Sequence, residues 1–174
     1  MKAHGTGTKR TRVGTPVELA RAAGRRLIRR GLTLGVAESC TGGLLGAWLT
    51  EIPGSSRYFR GGIVAYANAA KTRLLGVPRE VLSLSGAVSA AVAVAMARGV
   101  RRALGADIGI AITGIAGPDG GSAQKPVGLV YMAVEGRGGV AIRECRFRGG
   151  RSAVRRAAAR GALDLLQQSL RKMK

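Results

Sequence analysis

Apolar and polar positions along the chain change period several times, and each change marks an element. A helical pattern runs from Pro16 to about Arg30. Thr15 serves as its N-cap, Pro16 as its first residue and Glu18 as the third, which makes a capping box, and Gly31 ends it. Leu32–Ala37 is a continuous apolar run and reads as a buried strand. A turn of small and polar residues follows, Glu38-Ser39-Cys40-Thr41-Gly42-Gly43, and then a helix over 43–51. Gly62–Tyr66 reads as a second strand, with a short helix from Ala69 to Leu75 capped by Asn68 and closed by Gly76. Val77-Pro78 starts a helical turn ending near Ser83, and Ser89 caps a long Ala/Val helix over 90–104. Asp107–Ile112 is a third strand, which opens into the Gly-rich loop Thr113–Gly121. Val127–Val134 and Val140–Phe147 pair as a hairpin, and a basic helix runs from Arg151 to about Leu170.

Helices between most of the strands predict an α/β domain with a central, mixed sheet. Ligands of such sheets bind beyond the carboxyl ends of the strands, here the loops after Ala37 and Ile112. Residues 15–174 are expected to form one domain, and residues 1–14, basic and Gly/Thr-rich, a disordered tail.

Composition narrows the chemistry. No apolar run is long enough to span a bilayer and no secretory h-region follows the basic start, so a cytoplasmic protein without membrane partners is expected. The net charge is +20, but it is spread over the chain and aromatics are 3%, so nucleic acid is not the expected partner. The single His, His4, lies in the tail, which removes His-based triads and most zinc sites; no metal and no cofactor is expected. Scattered carboxylates supply neither a metal cluster nor an acid pair. What remains is a Ser, Cys or Thr nucleophile activated by Lys or Tyr.

Ser39 stands where a strand ends and a helix begins, so its hydroxyl could face the cleft over amides able to hold an oxyanion; the plainer alternative is a helix N-cap. Glu38 reads as a hydrogen-bonding partner for this turn. Cys40 is the rival nucleophile, ranked below Ser39 for want of a His. All but six of the 29 basic residues are Arg, and only Lys71 and Lys125 are interior lysines. With Asn68 as N-cap, Lys71 falls at N3, where the helix field and partial burial both favour the neutral amine a general base needs. Tyr66 could orient that amine or relay a proton. Thr113 and Gly114 stand at the mouth of the third strand. Arg151 opens the last helix, where its guanidinium and the helix N-terminus suit a phosphate.

Several stretches together resemble the C-terminal domain of the competence/damage-inducible protein CinA, a family also found as the stand-alone nicotinamide-nucleotide amidase. They are Ala37-Glu38-Ser39-Cys40-Thr41-Gly42-Gly43, Pro53-Gly54-Ser55-Ser56, Tyr66-Ala67-Asn68-Ala69-Ala70-Lys71, Gly86-Ala87-Val88-Ser89, Thr113-Gly114-Ile115-Ala116-Gly117-Pro118 and Lys125-Pro126-Val127-Gly128. The resemblance covers about residues 16–170 and suits the stand-alone form. It implies a three-layer α/β/α sandwich, a homodimer or higher homo-oligomer, and metal-independent hydrolysis of nicotinamide mononucleotide to nicotinate mononucleotide and ammonia. By motif, Ser39 would be the nucleophile, Lys71 its base and Tyr66 a helper. Thr41, Gly42, Asn68, Thr113 and Gly114 would contact the substrate, and Arg151 its phosphate. The chain departs from the family pattern at Ala67, Ala69, Ala90, Ala91 and Gly150, the last replacing an Asp before Arg151. These departures are expected to alter local order or substrate fit rather than the chemistry. The alternative is a catalytically weakened protein that binds a nucleotide or nucleic acid on the same scaffold.

Overall fold

The computed structural model describes residues 14–173, so His4 and, apart from Gly14, the expected basic tail lie outside the described residues. Five strands form one sheet in the order β2-β1-β3-β4-β5. β1 (Leu34–Glu38) pairs in parallel with β2 (Phe59–Val64) on one side and with β3 (Ile108–Gly114) on the other. β4 (Leu129–Gly136) and β5 (Gly139–Arg146) continue the sheet antiparallel, as the expected hairpin. The sheet is therefore mixed.

Helices cover both faces, giving the three-layer α/β/α sandwich. On one face, α1 (Pro16–Arg29), α2 (Leu44–Thr50) and α6 (Arg151–Lys172) enclose a core that includes Leu27, Val36, Leu45, Ile110, Met132 and Leu166. On the other, α3 (Asn68–Leu75), α4 (Arg79–Ser85) and α5 (Ala90–Ala103) pack over Ala37, Ala111 and Ala133, with Val92 and Met96 at the centre. Small residues on that face let the helices approach closely. A Cβ at Gly109 would collide with the Ala97 carbonyl of α5, and one at Gly99 with the Leu75 carbonyl of α3.

Local signals explain most of the elements. The Thr15–Glu18 capping box is formed in both directions, and Ser89 Oγ accepts from the Val92 amide to start α5. All five strands are displaced from their expected bounds by one to three residues, and two of the shifts have a plain cause. β1 starts at Leu34 rather than Leu32, because Thr33 is committed to Asp107: the Asp107 carboxylate accepts from its amide at 3.0 Å and from its hydroxyl at 2.7 Å. β2 starts earlier and ends at Val64, since its pairing with β1 sets its bounds, so Tyr66 lies two residues past the strand. Both cysteines are free. No described helix is long and apolar enough to cross a membrane.

Candidate active site

The carboxyl ends of β1 and β3 and the start of α3 converge on a cavity of about 260 Å³. β1 is buried along its whole length between β2 and β3, so the residue that follows it emerges from the sheet interior. That residue is Ser39, 8% exposed, whose amide donates to the Ile112 carbonyl of β3 at 3.0 Å. Its side chain lines the cavity.

The N-terminus of α2 is not free to receive a ligand, and this corrects the expectation drawn from the strand–turn–helix pattern. The helix begins at Leu44 with Gly43, not Ser39, at the N-cap. Three amides at its start are taken by the chain's own Glu38. This carboxylate, 2% exposed, accepts from Gly43 N and Leu45 N at 3.1 Å each and from Gly46 N at 2.8 Å. Glu38 is thus the hydrogen-bonding partner of the turn, as read from the sequence. Ser39 is relieved of capping and lines the cavity.

Lys71 enters from the other strand–helix junction. The N-cap of α3 is Ala67, so Asn68 is the first helical residue and Lys71 falls one position later than expected. The amine is nearly enclosed, 2% exposed, and donates to the Tyr66 carbonyl at 2.9 Å. Burial holds the Lys71 pKa below its ordinary 10.5, because loss of solvent disfavours the charged form; the neighbouring Cys40 opposes this weakly. The direction is the expected one, with burial as the cause. Cys40 also lines the cavity, but burial pushes its thiol up to about 11, so it is protonated at neutral pH and a poor nucleophile.

The remaining expected residues separate into two groups. Tyr66, Asn68, Thr113, Gly114 and Arg151 line the cavity with Ser39 and Lys71. Tyr66 is 58% exposed; its carbonyl orients Lys71, and its hydroxyl accepts from Arg151 Nη2 at 2.8 Å. Arg151 also donates from Nη1 to the Gly117 carbonyl at 2.8 Å, so it spans the cavity mouth from the Tyr66 junction to the Gly-rich loop. The buried Thr113 hydroxyl donates to the Ala87 carbonyl at 2.7 Å and so fixes the segment Ala87-Val88, which forms another wall. Gly114 is required by the sheet, since a Cβ there would sit 2.6 Å from Val130 Cγ2.

Thr41 and Gly42 are not among the lining residues. Thr41 is fully buried, and its carbonyl accepts from Arg155. Two contributors escaped the sequence reading. Ala87 acts through its backbone, which carries no side-chain signal. Arg155 could have been found from its position four residues after Arg151, which puts both on one face of α6. Among the described residues, no three His, Cys, Asp or Glu side chains gather to hold a metal ion.

Comparison with known proteins agrees with this architecture. The family model described as the CinA C-terminal domain matches residues 17–170. A putative competence-damage inducible protein of Moorella thermoacetica is 58% identical over 153 residues, 88% of this chain and 37% of that protein. A CinA-like protein of Geobacter sulfurreducens is 54% identical over 149 residues, 86% of this chain and 36% of that protein. The chain thus spans roughly a third of the length of these curated relatives. Among solved structures, competence/damage inducible protein CihA from Agrobacterium tumefaciens superposes with a TM-score of 0.87 at 46% identity, covering 90% of this chain and 96% of that one. The competence damage-inducible protein A from Klebsiella pneumoniae gives 0.89 at 37% identity, covering 92% and 100%.

Proposed function

The chain belongs to the CinA C-terminal domain family, and on that premise we propose that it is a Ser-Lys amidase that hydrolyses the carboxamide of nicotinamide mononucleotide. The observation that carries this reading is the meeting of Ser39 with a buried, charge-disfavoured Lys71 amine in one cavity at the end of the parallel strands. Lys71 in its neutral form accepts the Ser39 proton as Oγ attacks the amide carbonyl. The ammonium so formed returns that proton to the departing nitrogen, and ammonia leaves with an acyl ester on Ser39. Water then attacks the ester, giving its proton to Lys71, which passes it to the departing Ser39 Oγ; the acid product loses its proton to solvent, and nicotinate carboxylate and free Ser39 result.

The surroundings suit this substrate. The Tyr66 carbonyl holds Lys71 toward the cavity without adding a charge. Arg151 stands at the mouth, where exchanging the Tyr66 hydroxyl for a phosphate would strengthen its hydrogen bonds. With the α2 amides committed to Glu38, oxyanion donors must come from the turn itself or from the Gly-rich loop. Ammonia release from nicotinamide mononucleotide by purified protein tests the reading. Ser39→Ala and Lys71→Ala are each expected to lose at least about a thousandfold in kcat. Full activity in either variant discards the dyad, and nucleotide binding without ammonia release favours the binding-only alternative.

A further inference from the structure

The turn that presents Ser39 is costly to hold in place. Thr41 is fully buried and its Oγ1 has no hydrogen-bond partner among the described residues, a penalty of about 1–3 kcal/mol for a buried hydroxyl. Gly42 and Gly43 both stand at positive φ, 60° and 92°. The N-cap of α2 is Gly43, which has no side chain with which to cap the helix. Two charged groups flanking the turn offset this cost, one on its amide side and one on its carbonyl side. Glu38 gathers the amides of Gly43, Leu45 and Gly46. Arg155 takes the opposite side, donating to the Thr41 carbonyl from Nη2 at 2.7 Å and from Nε at 3.3 Å.

Arg155 projects from a rigid support, since its helix neighbours Val154, Ala158 and Ala159 are fully buried. Two N–H groups from one planar fork on one oxygen fix the direction of that peptide, which a single flexible contact would not. Thr41 is two residues from Ser39, whose own amide is tied to β3. The stretch from Ser39 to Thr41 is therefore pinned at both ends, and the Ser39 backbone has little freedom to move from the cavity wall.

We propose that Arg155 is a positioning residue for the Ser39 reaction, acting through the Thr41 carbonyl as the counterpart of Glu38. The proposal rests on Ser39 being the nucleophile, and two readouts separate its failure from failure of the amidase reading. One is ammonia release; the other is the rate at which a serine-directed sulfonyl fluoride labels Ser39, read by peptide mass. Arg155→Ala is expected to lower kcat about ten- to a hundredfold with KM nearly unchanged, as a misplacement of about 1 Å does. Ser39 labelling slows with it. Millimolar guanidinium ion is expected to restore part of both in Arg155→Ala and to leave the wild type unchanged, which a general loss of stability would not allow. Arg155→Lys, which still donates to the carbonyl but without the fork, is expected to lose only a few-fold.

Unchanged kcat and labelling in Arg155→Ala overturn the proposal, as does a loss confined to KM or one that guanidinium fails to rescue. If Arg155→Ala does not fold, unchanged labelling in Arg155→Lys overturns it. If the wild type releases no ammonia while labelling still slows in the variants, the amidase reading falls and the positioning role stands. A wild-type Ser39 that takes no label removes the positioning role itself.

Discussion

The cavity is built from two strand–helix junctions that hold their residues in opposite ways. The β1–α2 junction rises from a strand buried on every residue, and Glu38, Ser39, Cys40 and Thr41 are all buried. Charged groups hold it on both sides. The β2–α3 junction rises from an edge strand whose burial alternates, and Tyr66, Ala67, Asn68 and Ala69 are exposed. There, only Lys71 and Leu75 of the helix reach the interior. Ser39 is thus immobilised by its own backbone. Lys71 is held at its tip, by one carbonyl and by burial. A nucleophile must be aimed within a fraction of an ångström, whereas a base needs above all a shifted proton affinity, and burial alone supplies that.

The sharpest break of this comparison is Lys71→Met. It is expected to abolish ammonia release, by about a thousandfold or more, while raising stability toward urea, because it replaces a buried amine with an apolar chain of similar length. A fall in stability would mean that Lys71 is a structural residue. The pH dependence carries the same information. The folded-state pKa of Lys71 lies below the 10.5 of the unfolded chain, so between those two values the unfolded state binds the extra proton. Wild-type stability relative to Lys71→Met should therefore rise with pH across that window and be complete above 10.5. The activity should rise with pH through the lowered pKa. A flat difference between the two proteins from neutral pH to the ordinary lysine range would sink the assignment.

Glu38→Ala tests the other junction. It strands the amides of Gly43, Leu45 and Gly46 and is expected to cost about 2–4 kcal/mol in denaturant unfolding. Near-wild-type stability would show that water replaces the carboxylate and that the turn is not held from its amide side. Gly99→Ala sits between the junctions. Its methyl group would press on the Leu75 carbonyl and drive α3, and Lys71 with it, away from α5. The expected cost is about 1–3 kcal/mol, with lower kcat and slower Ser39 labelling, since Lys71 activates Ser39 in both reactions. The smallest effect belongs to Tyr66→Phe. The carbonyl that holds Lys71 is retained, so stability should stay within about 0.5 kcal/mol. Only affinity for a phosphate-bearing substrate should change, through Arg151. A large fall in kcat would instead make the hydroxyl part of the proton path.

Much of this arrangement was legible along the chain because its determinants are local. The capping box at Thr15–Glu18, the N-cap at Ser89, and the apolar runs of β1 and β3 each depend on residues within a few positions of one another. The scarcity of interior lysines singled out Lys71, and the turn after β1 singled out Ser39. Both reach the same cavity. What tertiary structure alone decided lies across sequence distance. Thr33 gives up the start of β1 to Asp107, 74 positions away, and Arg155 reaches the Thr41 carbonyl across 114. Arg151 ties Tyr66 to Gly117 at the cavity mouth, and the Thr113 hydroxyl is spent on the backbone of Ala87. The helix end that pattern alone offers to an anion is filled by Glu38, because a buried carboxylate beside unpaired amides must bond to them. Sequence periodicity determines which residues stand at a junction. Which polar groups are left free there is settled only when every buried donor and acceptor has found its partner in the folded chain.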